Sequence, residues 1–239
     1  MDRINSKDVF LIILIMFNFN TSKPSNPNLL LNSDNSATDF ITKWLNNRKG
    51  QLKNNIHKYI KNNIEPNDLT INTVLQKQLS SMNNSTINIG NVGNRNGEYN
   101  KANKTIGINN QLLNPKNNRL LDITTVHERT HSLNALPQYN GIKKLLQEHY
   151  MPSATDDDYD KTVDNPEEIY SRLMSFRKIN KLDPNKVINK NDLKGWSKQL
   201  NETELNKYPT KFLLDLFNNI ANNVSNKPKN YIKERRLLT

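Results

Sequence analysis

The apolar positions change rhythm along the chain, and each change marks an element. Between Ala37 and Lys61, Ile41, Trp44, Leu45, Leu52, Ile56 and Tyr59 recur mostly at helical steps, which predicts an amphipathic helix. A second helical segment spans Asp68 to Met82 and closes in the polar "SMNNS". The rhythm then turns to alternation. "STINIG" (85–90) and "KTIGIN" (104–109) carry Ile at every second position and flank "NVGNRNGEYNKAN". This predicts two short strands joined by a Gly/Asn-rich loop, a loose hairpin. Helical spacing returns from Asn118 to Leu136, with Ile123, Val126, Leu133 and Leu136 as its core face and Pro137 as its expected stop. A shorter helix is expected in "NGIKKLLQEHY" (140–150), then an acidic loop in "MPSATDDDYDKTVDNP" (151–166). "PEEIYSRLMSFRKINKL" (166–182) opens with Pro and two Glu, which suit a helix N-terminus. Its apolar face is Ile169, Leu173, Phe176 and Ile179. "TKFLLDLFNNIANNV" (210–224) is the strongest amphipathic pattern of the C-terminal part.

The expected fold class is therefore α+β: a mainly helical domain with one small antiparallel or mixed sheet ahead of the 118–136 helix. No internal repeat is present. The domain is expected over residues 36–225, preceded by an apolar segment and linker (1–35) and followed by a basic tail (226–239). The run "DVFLIILIMFNF" (8–19) is too short to span a bilayer, which takes about 20 residues. It is long enough for the core of a signal peptide, and Arg3 and Lys7 precede it. Asp2 and Asp8 offset those charges, and no small-residue cleavage site follows. A signal or anchor segment and a buried or partner-docking segment both fit, so membrane contact stays open.

Composition narrows the function. Hydrophobic residues make up 34% of the 239 positions, enough for a modest core. The net charge of +11 would suit an acidic partner. The lysines are dispersed, however, and form no aromatic-interleaved stripe, so no specific nucleic-acid binding is expected. There are no cysteines, which excludes disulfides, thiolate ligands and a Cys nucleophile. Any transition metal must be held by His and carboxylates.

"TTVHERTHSLNAL" (124–136) supplies such a set. Residues four apart on a helix lie on one face, so His127 and His131 can present two imidazole nitrogens to one ion, with Glu128 to the side within reach of a water. Two neutral imidazoles and a nearby carboxylate base are what a zinc hydrolase requires. A random chain of this composition contains the pattern about once in several hundred cases. The alternative is two ordinary helix histidines with a solvated Glu128. A catalytic site needs a third protein ligand. Asn134 and Pro137 exclude the three-histidine extension of the motif. Glu167 and Glu168, on the first turn of a later helix, and His149 are the candidates.

"VHERTHSL" followed by "NPEEIYSRLMSFR" resembles the gluzincin branch of the zincin metallopeptidases. The resemblance implies a Zn²⁺ cofactor held by His127, His131 and Glu168, with Glu128 as general base. It also implies a protein or peptide substrate bound along an edge strand before the motif helix. Glu168 is preferred to Glu167 because it directly precedes "IYSR". The interval from His131 to Glu168 is longer than in the best-known members. More narrowly, "WLNNRKGQL", "HERTHSLNALPQ", "EEIYSRLMSFRKINKLDP" and "LLDLFNNIA" look like small zincin-like proteins of tailed bacteriophages, the crAss-like phages of Bacteroidetes among them. That implies other virion proteins as partners, in a virion-associated or secreted setting. A virion structural or assembly protein with a stabilising or vestigial site is the rival reading, and a secreted effector protease a third.

Tyr150, Tyr159, Tyr170 and Arg172 are candidate oxyanion donors. Arg172 could equally pair with a carboxylate. Asp156, Asp157, Asp158, Asp160 and Asp164 lack the Gly and terminal Glu of an EF-hand loop; a solvated loop or an acidic border of the zinc cleft is expected instead. His57 reads as a surface helix residue.

Overall fold

The computed structural model describes residues 26–47, 71–133, 137–149, 151–155, 157–158, 165–194, 205 and 208–221. Helix α1 (Asn28–Asn47) starts after an Asx turn in which Asn26 Oδ1 accepts from Asn28 N at 2.9 Å. Its buried stripe, Leu30, Ser33, Ala37, Ile41, Trp44 and Leu45, recurs every three or four residues. The helix thus begins before the expected Ala37, and residues 28–35, grouped by pattern with the N-terminal linker, belong to this helix, with Leu30 and Ser33 buried. The apolar run 8–19 and residues Leu52, Ile56, His57 and Tyr59 lie outside the described residues. No helix among the described residues is long and apolar enough to cross a membrane.

Helix α2 (Ile71–Asn83) leads into strands β1 (Thr86–Gly90), β2 (Gly97–Asn100) and β3 (Thr105–Asn109). Here the structure corrects the hairpin expectation. The two alternating Ile segments are parallel neighbours, Ile87 opposite Ile106 and Ile89 opposite Ile108. The segment expected as loop contains β2, antiparallel to β3, so the order is β1-β3-β2. The real hairpin is β2–β3. Asn100 Oδ1 accepts from Ala102 N at 3.0 Å and Asn103 N at 3.3 Å, and Lys104 takes a left-handed φ of 55°. Alternation fixes which side chains share a sheet face but not strand direction; this turn decides it.

Two 3₁₀ turns, Asn110–Leu113 and Pro115–Asn117, are capped by Asn109 and Asn114 and deliver the chain to α3 (Asn118–His131). The motif helix ends at His131, earlier than expected. Ser132 caps it, its N–H bonding Glu128 O, while Ser132 Oγ donates to Arg129 O at 2.7 Å. Pro137 does not stop that helix; it opens α4 (Pro137–His149), a position where its missing N–H costs nothing. Helices α5 (Pro166–Ile179), α6 (Lys190–Lys194) and α7 (Thr210–Ala221) follow.

Helix α3 lies between the sheet, α1 and α5. A small core of Leu30, Ile106, Ile108, Leu112, Leu113 and Leu121 fills the sheet side. The main core gathers apolar residues of α1, α2, α4, α5 and α7 around Val126 and Leu133, with Trp44 edge-on to Tyr170 at 5.5 Å. Glu168, Ser171 and Ser175 share one face of α5. The two serines are buried, and Ser175 Oγ donates to Ile123 O of α3 at 3.1 Å. Small residues at this contact let α5 approach α3 closely. The far end of α5 is fixed by buried Arg177, which donates to Lys186 O and Phe217 O, each at 2.8 Å.

One buried group ties these parts together. Arg129 Nε and Nη2 donate to Asp34 Oδ1 and Oδ2 of α1 at 2.5 and 2.7 Å. Its Nη1 donates to Met82 O and Ser85 O at 2.8 and 3.1 Å, where α2 hands over to β1. Removing one partner of such a pair leaves a buried charge uncompensated. We expect Asp34→Ala to lower unfolding free energy by about 3 kcal/mol. Lys43→Ala, which breaks a pair exposed at 57% and 43%, should cost under about 1 kcal/mol. Urea unfolding of the two variants decides; equal losses would remove Arg129 from this role.

Candidate metal centre

Helix α3 turns His127 and His131 to one side, and the first turn of α5 enters from the opposite side. Asn165 caps α5, accepting from Glu167 N at 2.8 Å, and Pro166 fixes the first helical position. Both acidic residues thus sit where the N–H groups of the helix favour negative charge. Glu168 spans the pair: Oε2 lies 3.2 Å from His127 Nε2, and Oε1 lies 3.1 Å from His131 Nε2. The two Nε2 atoms are 3.0 Å apart. Among the described residues, these three side chains form the one group of at least three ligand-type residues able to hold a metal ion.

The donor set fits zinc. Zinc takes imidazole nitrogen and carboxylate oxygen at about 2.0–2.2 Å in tetrahedral geometry, so neighbouring donors stand roughly 3.3–3.5 Å apart. The observed triangle of 3.0–3.2 Å is close to that spacing. Three protein donors are also the number of a catalytic site. The cluster has the arrangement of a gluzincin-type zinc-peptidase site.

Glu128 is only 6% exposed. Burial raises its pKa, the charges of His127 and His131 pull the other way, and the net shift is upward. It stands against the first residue of β2. A Cβ built on Gly97 would meet Thr124 Cγ2 at 2.6 Å and Glu128 Cγ at 3.0 Å. Only glycine lets the strand lie this close to Glu128. Antiparallel pairing then sets the outer edge. Asn109 N bonds Asn96 O at 2.9 Å, so the pairs two and four residues on, Glu98–Gly107 and Asn100–Thr105, are also hydrogen-bonded. The main-chain groups of Gly97 and Tyr99 therefore point outward, and no strand covers that edge among the described residues.

The other sequence candidates fall elsewhere. His149 stacks edge-on against Phe212 at 5.7 Å and is not in the cluster. Tyr170 is fully buried between Trp44 and Tyr139, which removes it as an oxyanion donor to a substrate. Arg172 is half-buried one turn past Glu168. Tyr150, Tyr159, Asp156, Asp160 and Asp164 lie outside the described residues. Asp158 Oδ2 accepts from Thr155 N and Oγ1 at 2.7 and 2.8 Å, an ordinary turn contact. Residue-by-residue reading missed Gly97, Arg129 and Lys101. The one available signal was Gly97 beside an alternating "EYN". No protein-family model, curated protein or solved structure matches the chain.

Two expectations follow. Gly97→Ala overpacks the strand–helix contact and should lower stability by about 1–3 kcal/mol in urea unfolding while displacing Glu128. The second concerns pH. Burial opposes the charged form of His131, but Glu167 and Glu168 beside it raise its pKa from 6.5 to about 9. Burial would raise Glu168, but His127 and His131 hold it well below the usual 4.5. A raised histidine stabilises the fold below its unfolded pKa and loses that contribution as pH climbs through the folded one. A depressed carboxylate contributes above its unfolded pKa and loses it as pH falls. Metal-free protein should therefore have the full benefit of this cluster between pH 4.5 and 6.5 and lose stability toward pH 9. Zinc uptake at about pH 7.5 should release roughly one proton per chain, read by calorimetry in buffers of different ionisation enthalpy. Uptake without proton release would contradict the charge assigned to His131.

Proposed function

We propose that the protein is a zinc-dependent metallopeptidase in which His127, His131 and Glu168 hold the metal and Glu128 is the general base. The observation that carries this reading is the triangle of two Nε2 atoms and one carboxylate at 3.0–3.2 Å, with Glu128 to the side, close enough for the charges of all three to act on it. A structural zinc site uses four protein ligands; among the described residues this cluster offers three, with a buried carboxylate beside them.

Bound zinc supplies a water of pKa near 7 and polarises the scissile carbonyl. The rest belongs to the chain's own residues. Glu128 takes the proton of the attacking water and passes it to the leaving amine. Burial raises its pKa, which makes its carboxylate a stronger proton acceptor. The outward main-chain groups of Gly97 and Tyr99 receive an extended peptide as an added strand, which lays the scissile bond over Glu128. An extended substrate pairs through its backbone, so this recognition tolerates many side chains. The narrower likeness to zincin-like proteins of tailed bacteriophages rests on the quoted sequence segments; in that setting other virion proteins are its partners.

Metal content and peptidase activity test the reading together. The wild type should carry one zinc per chain, and His131→Ala and Glu168→Ala should lose it. Glu128→Gln should keep the zinc and lose about 10²–10⁴-fold in kcat on a quenched-fluorescence peptide library. A Glu128→Gln protein as active as the wild type would sink the mechanism. A folded wild type that takes up no zinc would sink the enzyme.

A further inference from the structure

We propose that Glu167 is the positioning residue of the metal centre: its carboxylate accepts the Nδ1–H of His131 and is held in place by Lys101, from the turn between β2 and β3. The inference rests on the zinc reading above and concerns a residue to which that reading gives no role.

A histidine that turns Nε2 to a metal carries its proton on Nδ1, and a buried N–H needs an acceptor. His131 Nε2 faces His127 Nε2 at 3.0 Å and Glu168 Oε1 at 3.1 Å. Nε2 is therefore the metal-side nitrogen, and Nδ1 is the one to be satisfied by protein. The His131 side chain is 10% exposed, and Glu167 Oε2 lies 3.9 Å from Nδ1. That is longer than a hydrogen bond, and roughly an ångström of side-chain movement closes it. The same oxygen is 2.8 Å from Lys101 Nζ.

Helix geometry explains how adjacent carboxylates take different tasks. Successive residues point about 100° apart around the axis. Glu168 enters between the two Nε2 atoms, while Glu167 comes round to the other edge of the His131 ring. The N-terminal turn of α5 stabilises both charges. Glu167 is also close enough for its charge to act on the buried Tyr139 hydroxyl, which has no hydrogen-bond partner among the described residues. Lys101 directly follows β2, the strand whose outer edge receives the substrate. The ion pair thus links the orientation of a metal ligand to the substrate strand. Lys101 is 65% exposed, so its own contribution is small.

The test is zinc affinity of the full chain, measured by competition with a chromophoric chelator. Glu167→Met and Glu167→Gln match the native length and differ in whether they offer an acceptor oxygen. Glu167→Met should weaken zinc binding by about 10–100-fold, the usual loss for such a partner. Glu167→Gln should stay within about threefold of wild type, and Lys101→Met should lose less than about tenfold. Far-ultraviolet circular dichroism of the metal-free proteins checks that each variant folds. Unchanged affinity in Glu167→Met, or an equal loss in both Glu167 variants, overturns the proposal while the metal site stands. A wild type that binds no zinc, or a His131→Ala protein that still does, overturns the metal reading and the proposal with it.

Discussion

The site depends on a charge that never touches it. Arg129 lies inside the motif, between Glu128 and His131, and points to the opposite side of α3. There it meets the Asp34 carboxylate and two carbonyls at the junction of α2 and β1. Burying a guanidinium is costly unless every donor finds a partner. Satisfying this one requires α1, the end of α2 and the start of the sheet to converge on a single turn of α3. That convergence fixes the rotation of α3 about its axis and turns both histidines toward α5. Ser33 Oγ on Thr125 Oγ1 at 3.2 Å and Ser81 Oγ on Ser132 O at 2.9 Å hold the same faces together.

From the other side, close approach does the positioning. Ser171 and Ser175 remove bulk from the α5 face that meets α3, and Glu168 continues that face by one turn. A larger side chain at either serine would push the helices apart and withdraw the carboxylate from the imidazoles. At the sheet, Gly97 plays the corresponding part, since any Cβ there would strike Thr124 and Glu128. The three approaches to α3 are thus set by an arginine that demands partners and by small residues that permit contact. The apolar core supplies the remaining cohesion without specifying these distances.

Much of this was legible in the residues themselves. The spacing of His127 and His131 guarantees a shared helix face wherever that helix packs, because it depends only on 3.6 residues per turn. Pro166 with Glu167 and Glu168 marks a helix start for reasons equally local. Alternation in "STINIG" and "KTIGIN" identifies strands, and the order of sheet, motif helix and Glu-bearing helix follows from the chain.

Only the tertiary structure decided the rest. Strand direction was invisible because an alternating pattern reads the same parallel or antiparallel; the left-handed Lys104 turn and the intervening β2 settled it. The end of the motif helix moved to His131 because Ser132 finds caps that no propensity encodes, and Pro137 then serves a start as readily as a stop. His149, a permissible ligand by residue type, went to Phe212 because α4 packs its end on α7. Local periodicity fixes which face a side chain occupies. Which other face it meets depends on long-range burial and on the partners a buried charge must find, and neither leaves a periodic trace in the sequence.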